Sequence, residues 1–226
     1  MFKRFRFSTM IALLIIPALV LSGCNFGGKA KGDQVLNLPQ TQEPPNLDSA
    51  KSTDAVSAVT LNNTQEGLYR TGENDELVLG MAADKPTVSA DRKVYTFKIR
   101  DAKWSDGRPV TAHDFVFGIK RVLDPKTASE YAYMNYYLKN GEAYNQGKAA
   151  ADSVGVKAVD DKTLEITLNS PVSYFEKLLT FTTYFPQRQD IVQKYGGKFA
   201  LEASNMVYNG PFVLSEWKHN EKLQYK

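Results

Sequence analysis

A mixed α/β fold is predicted by three stretches of the 226-residue sequence. At 94–100, Tyr95, Phe97 and Ile99 fall on one side and Thr96, Lys98 and Arg100 on the other, the period of a half-buried strand. At 111–123, Thr111 is placed to cap a helix, and Asp114 three residues on can bond the capping backbone and meet the positive end of the helix dipole. Ala112, Phe115, Val116, Ile119, Val122 and Leu123 then keep the spacing of one apolar helix face. At 154–168, two alternating runs flank the charged turn Asp160-Asp161-Lys162, which reads as a hairpin.

In chain order, Lys3, Arg4 and Arg6 form a basic start, followed at 10–21 by an apolar run too short for a comfortable membrane span. Leu21-Ser22-Gly23-Cys24 closes it, so 1–23 is expected to be a secretory signal. These residues resemble a bacterial lipobox, which implies cleavage before Cys24 and lipid attachment to its sulfur; the alternative is an ordinary apolar residue of a signal peptide. Cys24 is the one cysteine, so no internal disulfide can form. Two acyl chains on a diacylglycerol would give lasting attachment where one chain is marginal. The stretch 24–33, with Gly27, Gly28, Lys29 and Lys31, reads as the lipid-anchored tether. The expected product is extracytoplasmic, lipid-anchored to the cell membrane.

A first strand is expected at 34–38, ended by Pro39, then a turn-rich connection at 43–48 and a helix from about Asp54 carrying Val56, Val59 and Thr60. Sheet continues through 77–82 and 88–92. Ser105-Asp106-Gly107 turns the chain into the helix at 111–123, which Asp124-Pro125 ends because the residue before proline disfavours the helical region. An aromatic-rich helical stretch begins at 128–134; Pro171 opens a helix at 173–179, and another at 189–195 stops at Gly196-Gly197. Strands at 208–217 and 222–226 flank a turn at 218–221.

Charge argues against a nucleic-acid partner. Lysine and arginine number 28 against 25 acidic residues, and Lys3, Arg4 and Arg6 account for the excess, so a mature product is near neutral with no basic stripe. Catalysis finds no support either: His113 and His219 are isolated, and no triad, zinc or haem constellation or phosphate loop appears. No catalytic residue, metal or cofactor is expected.

The wording of four passages is more specific. F-x-I-R-D-A-K-W-S-D-G-R-P-V-T-A-H-D-F-V-F at 97–117, G-V-K-A-V-D-D-K-T-L-E-I-T-L at 155–168, N-G-P-F-x-L-x-x-W at 209–217 and an early P-x-x-L-D at 44–48 closely resemble the solute-binding proteins that serve oligopeptide, dipeptide and nickel ABC importers. The resemblance implies a periplasmic-binding-protein-like type II fold, two α/β lobes around a cleft, with an extra α+β domain in the peptide-binding branch. By that comparison 34–65 and 188–226 are part of lobe one, 66–187 is the extra domain, the second lobe is absent, and the sequence is a fragment or a truncated product. It implies a monomeric lipoprotein that captures oligopeptides and delivers them to ABC permease subunits with their ATPases. A peptide pheromone receptor or sensor, or a non-functional remnant, are the alternatives. A chain without its second wall is expected to bind peptide poorly.

Residue by residue, the resemblance puts a ligand-pairing segment at Thr53, Asp54 and Ala55, with Thr53 where some relatives carry glutamate. Helix capping by Thr53-Asp54 is the bland alternative. Tyr131 aligns with a cleft tyrosine that contacts peptide; otherwise it is one aromatic among Tyr133, Tyr136 and Tyr137. Asn209 and Gly210 fall near the cleft and hinge, or form a tight turn. Trp104 and Asp106 are assigned to packing and turn formation, and His113 to an exposed helix start.

Overall fold

The computed structural model describes residues 39–40 and 42–226. Cys24, the stretches 1–23 and 24–33, and the strand expected at 34–38 lie outside the described residues. In order, the elements are helix α1 (Ala55–Thr64), a hairpin of β1 (Tyr69–Thr71) and β2 (Leu77–Leu79), strands β3 (Thr87–Val88) and β4 (Val94–Lys98), and helices α2 (Ala112–Leu123) and α3 (Gly141–Asn145). Strands β5 (Val156–Asp160) and β6 (Thr163–Thr167), helices α4 (Phe175–Leu178) and α5 (Gln189–Tyr195), and a hairpin of β7 (Leu214–Lys218) and β8 (Lys222–Tyr225) follow. This is the mixed α/β fold that the sequence predicts.

The larger of two apolar cores grows from the antiparallel sheet β3-β4-β6-β5. Register sets Tyr95 opposite Ile166 and Phe97 opposite Leu164, so the alternation of both strands buries its apolar side on one face. Helix α2 covers that face with Phe115, Ile119 and Leu123, none of which retains exposed surface. Each such side chain contributes roughly 1.5–3 kcal/mol of burial. Trp104 and Val110, from the turn before α2, and Phe175 and Tyr184, from after the sheet, close the same core.

A smaller core gathers both ends of the described chain: Leu47 and Leu61 meet Ala200, Met206, Tyr208, Leu214 and Trp217. Ala50, Val122 and Ala132 form a third cluster, which places α2 against the segment before α1.

Several elements differ from expectation. Val59 of α1 is 54% exposed, and the buried face is Ser57, Thr60, Leu61 and Thr64. Polar side chains go inward there because they bond locally and across to β8: Thr64 donates to the Thr60 carbonyl at 2.8 Å, and the Thr60 and Tyr225 hydroxyls lie 3.0 Å apart. The strand expected through 88–92 ends at Val88, because Ser89 and Asp91 turn the chain and Arg92 takes a left-handed φ of 56°. The stretch at 128–134 is a left-handed residue, Ala128, followed by a single 3₁₀ segment, Ala132–Asn135, instead of a regular helix. The strand at 208–217 begins only at Leu214, since 209–213 cross the end of α1.

Candidate functional site

Position begins with α2. Thr111 donates its backbone N–H to Asp114 Oδ2 at 2.9 Å, and the Trp104 indole donates to the same oxygen at 3.1 Å. Burial raises the Asp114 carboxyl above its ordinary value against the opposing pull of these bonds. Asp106 turns the chain by accepting from the Arg108 N–H at 3.2 Å, and it grips Arg188 at 3.0 and 3.1 Å. Trp104 and Asp106 are thus structural, as their spacing suggests. His113 stands at the exposed start of the helix, 3.4 Å from Asp161.

At its far end α2 presents Arg121, whose two terminal nitrogens each meet a different oxygen of Asp48 at 2.7 Å. Gln187 completes the cluster, accepting from Arg121 at 3.0 Å and donating to Ser49 Oγ at 2.7 Å. Asp48 is nearly fully buried, so this bidentate pair fixes geometry tightly. The carboxylate also accepts the Ala50 N–H, and the Asp48 carbonyl accepts from Lys51 and Ser52. The turn so pinned delivers Asp54 in extended form to the start of α1.

There Asp54 caps α1, its Oδ1 accepting the Ser57 N–H at 2.8 Å. Thr53 and Ala55 are exposed. Among the described residues no acceptor meets the backbone N–H groups of Thr53 and Asp54, and the Thr53 carbonyl meets only the Tyr131 hydroxyl, at a long 3.4 Å. Tyr131 is held edge-on between Tyr133 and Phe181, at centroid distances of 5.9 and 6.0 Å. Thr53, Asp54, Ala55, Tyr131 and Phe181 line a hollow of about 200 Å³ with Ser52, Ala58, Asn62, Thr180 and Thr182. Thr53, Asp54, Ala55 and Tyr131 are therefore brought together, and Asp54 is the one acidic side chain on the lining, already engaged as a cap.

Asn209 and Gly210 are not part of that hollow. Asn209 donates to the Glu66 carbonyl at 2.9 Å and accepts the Glu66 N–H at 3.2 Å. Gly210 donates to the Thr64 carbonyl at 3.0 Å, so near that a Cβ would stand 2.6 Å from backbone atoms of Thr64 and Gln65. They clamp the opposite end of α1, where the chain passes between the two cores.

A wider hollow of about 480 Å³ lies beside Arg108, Arg188 and Asp190. Its buried guanidinium is paired on both sides: Arg188 meets Asp190 through Nε and Nη2 at 2.8 Å each, and Asp106 through Nη1. That hollow is a seam between α2 and α5 closed by its own ion pairs, and the smaller hollow is the one with backbone groups left to offer. Sequence reasoning missed Arg121, Asp48 and Gln187; only the aspartate of the P-x-x-L-D passage signalled them.

The family model of the bacterial extracellular solute-binding proteins, family 5 Middle, matches residues 76–226. The chain belongs to this family. Among its relatives, the oligopeptide-binding protein OppA of Bacillus subtilis is 43% identical over 225 residues, covering 95% of this chain and 41% of that protein. The solved structure of Listeria monocytogenes OppA bound to peptide superposes with a TM-score of 0.83 at 43% identity, over 86% of this chain and 39% of that one. A structure of the pheromone receptor PrgZ, described for its mode of peptide binding, gives a TM-score of 0.81 at 39% identity, over 84% and 38% of the two chains. The chain thus spans about two fifths of the length of the curated relative it matches.

Proposed function

We propose that this chain belongs to a substrate-binding lipoprotein of an ABC importer, in which it forms one wall of a cleft that captures oligopeptides outside the membrane for delivery to permease subunits and their ATPases. The observation that carries this is the step at Thr53 and Asp54, exposed at Thr53 and extended at Asp54, whose backbone N–H groups have no acceptor among the described residues and which, with Ala55 at the start of α1, flanks a hollow walled by Tyr131 and Phe181. A peptide can add to such a step as a further strand, with main-chain bonds giving affinity and the hollow taking a side chain. Thr53, Asp54, Ala55 and Tyr131 are the proposed contacts; Asn209 and Gly210 are proposed to act by fixing α1. The ligands of the relatives, a peptide in Listeria monocytogenes OppA and a peptide in the pheromone receptor PrgZ, support the same class. Solute binding without catalysis by a monomer is the reading adopted.

The two larger apolar cores, one drawn from 47–61 with 200–217 and one from 68–184, support the division into 34–65 with 188–226 and an extra domain at 66–187, with Ala50, Val122 and Ala132 packed across the boundary. Anchoring through Cys24 rests on the sequence of the signal stretch. Labelled palmitate is expected to enter the protein in bacterial cells and to be lost in Cys24→Ala; retained label in that variant refutes the anchor.

The capture reading is tested by amide NMR with a pool of short peptides. With one wall the expected affinity is weak, a Kd on the order of 1 mM or poorer, with shifts confined to 52–58, Tyr131 and 180–182. Peptide-dependent shifts centred elsewhere, or none at saturating concentration with the full-length relative binding as control, would refute it. A sensor for peptides would share this wall; import into cells, abolished by removing the permease genes, separates the two.

A further inference from the structure

The turn between β7 and β8 carries His219, which faces two carboxylates from distant parts of the chain. Its Nδ1 lies 2.7 Å from Glu43 Oε1 and its Nε2 lies 3.4 Å from Glu202 Oε1. Glu43 accepts two further bonds from the same hairpin, from the Trp217 indole at 2.7 Å and from the Asn220 backbone N–H at 3.0 Å. The imidazole and indole rings stand 4.6 Å apart between centroids. The other charges at this turn are taken: Lys218 pairs with Glu221, and Lys222 with Glu216 at 2.7 Å. Next to Glu202, Ala200 accepts the Leu47 N–H at 2.9 Å, so the same three stretches of chain also meet in the small core.

A neutral imidazole has one N–H and can donate at one nitrogen only. Acceptors at both nitrogens call for the doubly protonated ring. We propose that His219 is a proton-operated clasp, which when charged bridges Glu43 and Glu202 and fastens the segment entering the fold to the β7–β8 turn, and which lets go of Glu202 when it loses its proton. This does not depend on the peptide reading, since no residue of the clasp lines the hollow beside α1.

The titration directions agree. The Glu43 hydrogen bond raises the imidazole above its ordinary 6.5; burial opposes it, and Glu202 adds a smaller lift. Burial pushes the Glu43 carboxyl up, but the bonds from Asn220, His219 and Trp217 outweigh it and hold the group below its ordinary 4.5. The stabilisation from His219 is therefore full below about 6.5 and is lost as pH rises through the raised value in the folded protein. That from Glu43 is full above about 4.5 and is lost as pH falls through its lowered value. The clasp is closed in mild acid and opens on the alkaline side.

Proton NMR reads this directly, because the chain has two histidines and a His113→Gln variant assigns their ring signals. The His219 ring is expected to titrate above about 6.5, and to move down in both Glu43→Gln and Glu202→Gln. A midpoint at or below about 6.5, or one that neither variant moves, overturns the proposal. Hydrogen exchange supplies a second readout that survives a misfolding variant. The Asn205 amide, bonded to the Glu202 carbonyl at 3.0 Å, is expected to be protected in the native protein below the midpoint and to lose protection above it relative to core amides, while the Asn220 amide on Glu43 stays protected; protection of Asn205 unchanged across the midpoint also overturns it.

Discussion

The two cores are held by different materials. The larger is closed by a four-stranded ladder and by fully buried Phe97, Phe115, Ile119 and Leu164, with apolar contact on every side. The smaller leans on α1, whose buried face is Ser57, Thr60, Leu61 and Thr64, and where Ser57 Oγ finds no partner among the described residues. What holds α1 in place is polar: the Arg121–Asp48 pair before it and the Asn209–Glu66 exchange after it. Apolar burial is non-directional, whereas bidentate and paired hydrogen bonds fix angles. The region that carries the candidate site is therefore the one whose geometry is set by directional bonds, and the large core supplies the stability against which they act.

Substitutions can break or sharpen this contrast. The largest effect is expected from Phe115→Ala, which empties the centre of the large core and should cost about 3–5 kcal/mol in urea unfolding. A loss below about 1 kcal/mol would mean that the sheet and α2 do not share one core. Asp48→Ala leaves the Arg121 guanidinium buried without its carboxylate, and about 3 kcal/mol is expected. The two tryptophans report the regions separately, Trp104 the larger and Trp217 the smaller, so in this variant the Trp217 fluorescence transition is expected to come first. Coincident transitions would show that the polar joint is not what couples the cores.

Asn209→Ala removes both bonds to Glu66 and leaves a buried N–H and carbonyl unpaired, for about 2 kcal/mol, with hydrogen exchange quickening at 64–66. Unchanged exchange there would return Asn209 to a direct ligand role. The smallest effect is that of Asp54→Ala, about 1 kcal/mol for a lost cap. If peptide-induced shifts persist in it, Asp54 serves α1 and not the ligand.

The period of Tyr95, Phe97 and Ile99 and the capped helix from Thr111 were legible because each follows from local rules of alternation and capping. So was the hairpin across Lys162, whose turn is made by its own Asp160. In the site, Thr53, Asp54, Ala55 and Tyr131 came from resemblance, and their meeting in one hollow is a matter of tertiary structure. The helix from Asp54 was legible too, but not which side is covered, because spacing on a short helix does not say which face a neighbour will meet: Thr60 is buried and Val59 exposed, and Leu47, Tyr208 and Tyr225 of the same core come from other stretches of the chain.

By itself the sequence determined the alternating strands around Tyr95–Phe97 and Leu164–Ile166, the capped helix from Thr111 and the family they belong to, since each is written in neighbouring residues. Tertiary structure alone decided that Arg121 would grip Asp48 across 73 residues, that Asn209 would clamp Glu66 across 143, and that Glu43 would reach His219 across 176. Charge and hydrogen-bond partners are set by where the backbone brings them, and no spacing along the chain encodes a pair that the fold closes.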